Sequence, residues 1–159
     1  PQFTSLTPES VVNETMELAL IQAEKLNARI NTTIEPNLPA MNGDSVMLEQ
    51  LLLNLLKNAM EAVQPCPNHT IDLDVRLHES GSFIQFRVAD HGTGIPDDAK
   101  TMLFDAFYST KDEGMGMGLN ICRSIVEVHH GRIVISDTPG GGATFTFTVP
   151  VAREHPDLM

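Results

Sequence analysis

The chain has 159 residues, 42% of them hydrophobic and 19% charged, and it carries a formal net charge of −11. It is long enough for one well-filled hydrophobic core, and no run is both long and apolar enough to cross a bilayer. The acidic balance argues against general affinity for nucleic acid or an anionic membrane, so a polyanionic ligand would need local donors or a divalent cation.

The first elements in chain order are a helix, a short extended segment and the start of a second helix. Thr7 and Pro8 indicate the beginning of the first helix, which we predict to end near Asn27. Residues 32–35 are predicted to be extended, and Asp44 is a good N-cap for the second helix. The predicted apolar face of the first helix consists of Val11, Val12, Met16, Ala19, Leu20, Ala23 and Leu26.

The second helix carries two carboxamides in one of the most apolar stretches of the chain. Residues three or four apart share a helix face, so Asn54, Asn58 and Glu61 form a polar stripe. Lys57 lies beside this stripe. A buried carboxamide is costly unless another protein group, water or a metal–phosphate ligand satisfies it. The opposite side of the helix is fit for a core and consists of Leu48, Leu52, Leu55, Leu56, Ala59 and Val63.

The second half of the chain combines strands with a glycine-rich loop and a helix, which gives an α/β organisation. Period-two alternation on both sides of a Ser-Gly turn predicts a β-hairpin, and three consecutive glycines separate a later pair of strands. The predicted elements are strands 71–77 and 83–88, a loop over 91–118 around a short helix at 98–104, a helix over 119–129, and strands 132–137 and 144–149.

The two cysteines and the two adjacent histidines could in principle bind a metal, but each pair has a simpler interpretation. Cys66 and Cys122 are far apart and lack metal-ligand spacing, so we expect two free thiols in a reducing cytosol. His129 and His130 are adjacent on a helix and point apart. Solvation of the helix end therefore explains them better than a metal site does.

Asp90 begins the first chemical motif, DHGTGI over residues 90–95, at the exit of a predicted strand. The glycines of this motif allow a tight turn and a close approach to a flat ligand. A carboxylate at this place can accept a hydrogen bond from an exocyclic amine, and can so select adenine over guanine. The alternative is a plain acidic turn that closes a strand.

A second motif, GMGMGL over residues 114–119, lies immediately before an apolar-periodic helix. Glycines that open a helix present free backbone N–H groups at the positive end of its dipole, which suits phosphate. No Gly-Lys-Ser/Thr follows, so the motif is not a P-loop, and no strand precedes it, so it is not a dinucleotide fingerprint. The alternative is a flexible linker.

In this order, the motifs resemble the ATP-binding domain of the gyrase–chaperone–histidine-kinase–MutL superfamily and, more narrowly, the catalytic domain of a sensor histidine kinase. The short lid, FYSTK, is similar to that of the nitrogen-regulation, oxygen-sensing and dicarboxylate-sensing kinases. Ala106 stands where the family usually has Pro. The matching segments are the N box at 53–59, the G1 box at 90–95, the F box at 104–107, the G2 box at 114–119 and the closing segment at 141–145.

The resemblance implies an α/β two-layer sandwich of the Bergerat type, in which three main helices pack on one face of a mixed β-sheet beside a mobile ATP lid. We expect residues 1–30 to form a helix that connects from a missing dimerisation region and packs on the domain. Residues 31–151 would be the ATP-binding catalytic domain and 152–159 a flexible tail. The chain begins at Pro1 without Met, so we expect a piece of a longer protein, monomeric as a fragment.

Roles at the phosphate end of the site also follow from the resemblance. Asn58 would give its side-chain oxygen to Mg²⁺, and Asn54 would contact phosphate or metal-bound water. Lys57 and Lys111 would offer charge to the phosphates, with Lys111 reaching the γ-phosphate, and a solvated lysine is the alternative for each. Hydrolytic members of the superfamily have Glu at the position of Asn54. A carboxamide cannot act as a general base, so strong intrinsic ATPase activity is not expected.

At the base end, the resemblance implies that Asp90 binds the adenine N6 amine, with Thr144 supporting it through a shared water. Contacts to the base are implied for Gly92, Gly94 and Ile95. Lid and phosphate contacts are implied for Thr110, Lys111, Gly114, Gly116, Met117, Gly118 and Leu119.

The implied function is that of a protein-histidine kinase that uses ATP and Mg²⁺. It would transfer the γ-phosphoryl group to a His on a separate dimerisation domain, for relay to an Asp of a response regulator. We expect a cytoplasmic domain without direct membrane or nucleic-acid contact, whether or not the parent sensor is membrane-anchored. Two alternatives stay open: a nucleotide-binding regulatory module without transfer activity, and a gyrase- or MutL-type ATPase fragment.

Overall fold

The computed structural model describes residues 1–100 and 113–153, and for residues 113–117 it describes only the backbone. Within these ranges, no helix combines the length and the hydropathy that a bilayer crossing needs. In chain order the elements are β1 (Thr4–Leu6), α1 (Pro8–Lys25), β2 (Arg29–Ile34), β3 (Met41–Gly43), α2 (Ser45–Ala62), β4 (Thr70–Leu77), β5 (Phe83–Ala89), α3 (Asp97–Lys100), α4 (Glu113–Val128), β6 (Ile133–Asp137) and β7 (Ala143–Pro150).

A mixed five-stranded sheet forms one layer of the fold, in the order β2-β4-β5-β7-β6. The β2–β4 pairing is parallel and the other pairings are antiparallel, while β1 and β3 form a separate pair. Alternation in β4 buries Ile71, Leu73 and Val75 and turns Asp72 and Asp74 to the other face. The predicted hairpin and the two-layer α/β class are confirmed, since α1, α2 and α4 pack on one face of this sheet.

The central helix of the helical layer is α2, which packs between α1 and α4. Asp44 caps it as predicted, because its side chain accepts a hydrogen bond from the Met47 amide at 3.0 Å. Thr7 caps α1 in the same way through the Ser10 amide, at 3.2 Å. The whole predicted apolar side of α2 is buried. The helix that carries the two asparagines is thus anchored in the core.

The predicted apolar face of α1 is wrong at Leu20, whose side chain is 52% exposed. Successive helical residues are about 100° apart, so Leu20 lies on a different side of α1 from the buried Ala19. Val11, Val12 and Ala23 are buried as predicted. The buried stripe of α1 is therefore narrower than its run of hydrophobic residues suggests.

The last long helix, α4, begins at Glu113, whereas the sequence predicts a start at Leu119. Gly114, Gly116 and Gly118 consequently lie inside a helix, although each glycine there costs about 1 kcal/mol relative to alanine. Once a helix is nucleated, each further residue adds a hydrogen bond, and the packed part of α4 supplies that nucleus. The predicted helix at 98–104 begins where α3 lies, and its remainder falls outside the described residues.

His129 corrects a second expectation, because its side chain is 1% exposed rather than solvated. Its Nδ1 donates to the Ile125 carbonyl at 2.8 Å, and its Nε2 accepts from the Asp44 amide at 3.0 Å. The ring also stacks on Phe3, with centroids 4.8 Å apart. His129 thus connects the end of α4, the start of α2 and Phe3, the residue before β1, while the neighbouring His130 is exposed as predicted.

Candidate functional site

Asp90 lies directly after β5 and is only 2% exposed. Its Oδ1 accepts hydrogen bonds from the amides of Gly92, at 2.9 Å, and Ala143, at 3.1 Å. Its Oδ2 has no donor among the described residues, so one carboxylate oxygen is fixed by the backbone and the other is available. Burial raises the pKa of Asp90, and the two amide hydrogen bonds oppose that rise.

Two glycines near this carboxylate, Gly142 and Gly92, lie so close to neighbouring backbone atoms that a side chain there would collide with them. At Gly142, where φ is +117°, an added Cβ would collide with the Asp90 carbonyl oxygen and lie 2.9 Å from Oδ1. At Gly92, an added Cβ would lie 2.5 Å from the carbonyl oxygen of Ala62 at the end of α2. Gly94 adopts a φ of +77°, which favours glycine. The turn after β5 therefore packs on α2 and on the start of β7.

Asn58 carries an unsatisfied polar group in the middle of the fold. Its Nδ2 is buried and has no hydrogen-bond partner among the described residues. The oxygen and nitrogen of an amide are assigned from their surroundings and can be exchanged by a flip, so either atom can occupy this buried position. A hard cation takes oxygen ligands. The amide oxygen of Asn58 therefore fits a Mg²⁺ ion, provided that phosphate and water supply the other ligands.

Asn54 lies one turn before Asn58 and contacts α4. Its side chain hydrogen-bonds the thiol of Cys122, which also lies 3.9 Å from the Leu51 carbonyl oxygen. Burial raises the pKa of Cys122 to about 12, and the Asn54 hydrogen bond only partly offsets this. The thiol therefore stays protonated, and Cys122 is a packing residue rather than a reactive one. The predicted contact of Asn54 with phosphate stays a prediction.

Thr144 is buried on β7, but its recorded partner is not Asp90. Its hydroxyl lies 2.9 Å from that of Thr138, and the amide of Ala143 is the group of β7 that holds Asp90. The expected support of Asp90 by Thr144 through a shared water stays a prediction, and the direct donor from β7 is a backbone amide. Sequence reasoning missed the Ala143 amide donor and the close contact of Gly142 with Asp90. The run of three glycines could have indicated that close contact.

Charged pairs flank the Asp90 turn and were not predicted. Lys100 at the end of α3 bonds Asp97, at 2.7 Å, and Asp137 of β6, at 2.6 Å. Hydrogen bonding, first to Asp137 and then to Asp97, raises the pKa of Lys100. On the other side of the turn, His91 lies 3.2 Å from Asp72 of β4. These pairs tie the segment after Asp90 to two strands of the sheet.

The structure describes only part of the predicted phosphate-binding segment. Thr110 and Lys111 lie outside the described residues, and the side chains of 113–117, Met117 among them, are not described. Leu119 is fully buried, so its side chain belongs to the core. Because Gly118 and Leu119 are helical, their amides bond carbonyls four residues earlier. Their predicted donation to phosphate requires the beginning of α4 to open.

Comparison with known proteins gives a consistent result over most of the chain. Residues 43–153 match the family described as histidine kinase-, DNA gyrase B-, and HSP90-like ATPases. The chain is 42% identical over 154 residues to the C4-dicarboxylate transport sensor protein DctS of Rhodobacter capsulatus, a match that covers 97% of this chain and 23% of that protein. The chain spans between 16% and 28% of the length of the first four curated relatives.

Solved structures agree in fold. The catalytic domain of histidine kinase ThkA is 27% identical with a TM-score of 0.84, and the match covers 96% of this chain and 100% of that domain. Full-length ShkA in complex with AMPPNP is 26% identical with a TM-score of 0.82, and the match covers 98% of this chain and 32% of ShkA.

Proposed function

The chain belongs to the histidine kinase-, DNA gyrase B-, and HSP90-like ATPase family, as a catalytic domain of the histidine-kinase type, and on this premise we propose that it binds ATP with Mg²⁺ and phosphorylates a histidine. The acceptor would lie on a separate dimerisation domain, and a response regulator Asp would then receive the phosphoryl group. The observation that carries the proposal is made within the described residues: the buried carboxylate of Asp90 has no donor at Oδ2, and the buried Nδ2 of Asn58 has no hydrogen-bond partner.

Base selection rests on Asp90. Its Oδ2 accepts from the exocyclic amine of adenine, which guanine lacks at that position. The amides of Gly92 and Ala143 hold the carboxylate in place before the ligand arrives, so little ordering is left for binding. Ile95 packs partly buried against the core beside this turn and offers an apolar wall for the base. The AMPPNP in the related ShkA structure supports a nucleotide at the matching place.

Phosphate binding rests on α2. Asn58 would hold Mg²⁺ through its amide oxygen, and the ion would neutralise phosphate charge in this acidic domain. Lys57 is partly exposed and lies three residues after Asn54, so it is next to Asn54 on the helix surface and adds a point charge there. Asn54 is a carboxamide and cannot activate water as a general base. ATP bound here is therefore kept for transfer to an acceptor rather than hydrolysed quickly.

Calorimetry with AMPPNP, with Mg²⁺ and with EDTA, is the direct test. We expect binding that depends on Mg²⁺ and that Asp90→Asn weakens strongly. Adding ATP and the isolated dimerisation domain of a related kinase should then produce acid-labile phosphohistidine. Absence of nucleotide binding would refute the proposal as a whole.

The same experiment separates the alternatives. Nucleotide binding without phosphohistidine under any condition would indicate a regulatory module. Steady phosphate release without an acceptor would indicate a gyrase- or MutL-type ATPase. In that case Asn54→Glu would change little, whereas on our proposal it introduces the missing base and raises hydrolysis.

The division of the chain stays a prediction: a connecting helix in 1–30, the catalytic domain in 31–151 and a tail after it. We place the domain in the cytoplasm, where ATP and a response regulator are present. A limited proteolysis experiment that released residues 1–30 without loss of nucleotide binding would support the division. Unfolding of the remainder would contradict it, since α1 packs directly on α2.

A further inference from the structure

Exposed aliphatic side chains line the outer side of α1 and the start of α2. Leu18 is 58% exposed and Ile21 is 54% exposed, and both lie on α1. Val46, on the first turn of α2, is 73% exposed. Leu18 and Ile21 are three residues apart and so are neighbours on one helix face. Single exposed aliphatic residues are common, but neighbouring ones are a feature of interaction surfaces.

The two helices run side by side in the same direction. Near their ends, Gln64 donates from its side chain to the Leu26 carbonyl at 2.9 Å. Further toward their beginnings, Glu49 of α2 hydrogen-bonds Glu14 of α1. One contact joins the late parts of the two helices and the other joins their early parts, so α1 and α2 are adjacent and parallel.

The exposed aliphatic residues lie on the outer surface of this helix pair. Leu18 is one turn after Glu14, and Val46 is one turn before Glu49, so both flank the point where the two carboxylates meet. We call this the α1–α2 surface and define it by Glu14, Glu17, Leu18, Ile21, Val46 and Glu49.

The carboxylates on this surface crowd one another. Burial, the hydrogen bond to Glu14 and the charges of Glu14 and Glu17 together raise the pKa of Glu49 to about 7. Within the described ranges, none of the three is paired with a lysine or arginine. A cation from outside would therefore relieve a repulsion that the domain itself leaves in place.

We propose that the α1–α2 surface docks an amphipathic helix that carries lysine or arginine beside its aliphatic residues. The exposed aliphatic side chains contact the apolar face of such a helix, and the carboxylates pair with its basic flanks. A second copy of this chain does not fit, because it would present the same acidic surface. An anionic membrane is excluded by the same sign of charge.

The test uses two helical probe peptides that share leucines on one face and carry either lysine or glutamate on the flanks. Fluorescence anisotropy should show that the lysine peptide binds roughly tenfold or more tightly than the glutamate peptide, and that salt weakens it. Leu18→Ser combined with Ile21→Ser, or Glu14→Gln combined with Glu17→Gln, should weaken the lysine peptide by a similar factor. Leu20→Ser is the matched control, since Leu20 is equally exposed on another side of α1.

Circular dichroism and AMPPNP binding establish that each variant is folded, and they keep this test separate from that of nucleotide binding. Equal binding of both peptides would overturn the proposal, as would an equal loss in Leu20→Ser. Sedimentation that showed a dimer lost in Leu18→Ser would also overturn it, in favour of a second copy as the occupant.

Discussion

The two ends of the proposed nucleotide site are built in opposite ways. At the base end, Asp90 is buried, its Oδ1 is held by two amides, and Gly142 packs against it without room for a side chain. At the phosphate end, the buried Nδ2 of Asn58 has no hydrogen-bond partner among the described residues, and Lys57 is partly exposed. The carboxylate at the base end is thus already positioned by protein amides, whereas the described residues leave the Asn58 amide without a partner that a ligand would supply.

The largest effect is expected at the base end, from Gly142→Ala. The new Cβ would meet the Asp90 carbonyl oxygen at a φ of +117°, so either the turn or the carboxylate must move. We expect a loss of about 2 kcal/mol or more in the free energy of unfolding, together with loss of AMPPNP binding. Thermal unfolding and calorimetry measure the two effects.

Gly140→Ala is the matched control for this change. Gly140 also has a positive φ, +88°, but an added Cβ there would meet nothing within 4 Å. We expect a cost of about 1 kcal/mol and near-normal binding. If both variants behaved alike, the close contact at Asp90 would not be the cause.

Asp90→Asn separates recognition from stability at the same end. A hydrogen bond to a charged acceptor contributes about 1.5–3 kcal/mol, so AMPPNP affinity should fall roughly 10- to 100-fold. The fold should persist, because burial disfavours the charged form of Asp90 and the neutral amide of the variant avoids that cost. Competition of ATP with GTP measures selectivity. An unchanged preference for adenine would contradict the role of this carboxylate.

Asn58→Leu tests the phosphate end. A buried unsatisfied amide costs about 1–3 kcal/mol, so its removal should leave stability unchanged or raise it by about 1 kcal/mol. Mg²⁺-dependent binding of AMPPNP should be lost. Asn54→Leu is the control, because that amide bonds the Cys122 thiol and its removal should lower stability slightly. A marked loss of stability in Asn58→Leu would show that Asn58 is structural.

The smallest effect is expected at Glu49. Its carboxylate faces other carboxylates, whereas that of Asp90 accepts hydrogen bonds from two amides. The folded-state pKa of Glu49 is raised from 4.5 to about 7, so its stabilising contribution is present below about pH 4.5 and is lost as the pH rises to about 7. Glu49→Gln should therefore raise stability by about 1 kcal/mol at about pH 8, a figure reduced for solvent screening, and change little at about pH 4. Glu24→Gln, on an exposed part of α1, is the control. Chemical denaturation at the two pH values measures these changes in stability. Equal changes in Glu49→Gln and Glu24→Gln would contradict the prediction.

Patterns of period and of capping made much of the fold predictable. The alternation in β4, the cap at Asp44 and the apolar side of α2 follow from rules that act over a few residues, and the structure has them as expected. The place of Asp90 at a strand end was predictable for the same reason. The hydrogen bond from Ala143 to Asp90 was not predictable, because Ala143 approaches Asp90 only through the pairing of β5 with β7.

The sequence by itself determined most of the long elements, the central helix and the identity of the two polar groups at the ends of the site. Tertiary structure decided which neighbours these groups meet: His129 against Asp44, Asn54 against Cys122, and a helical rather than looped segment before Leu119. The reason is physical. Propensities and caps are local free energies that a short window contains, whereas contacts between residues far apart exist only after the chain has folded.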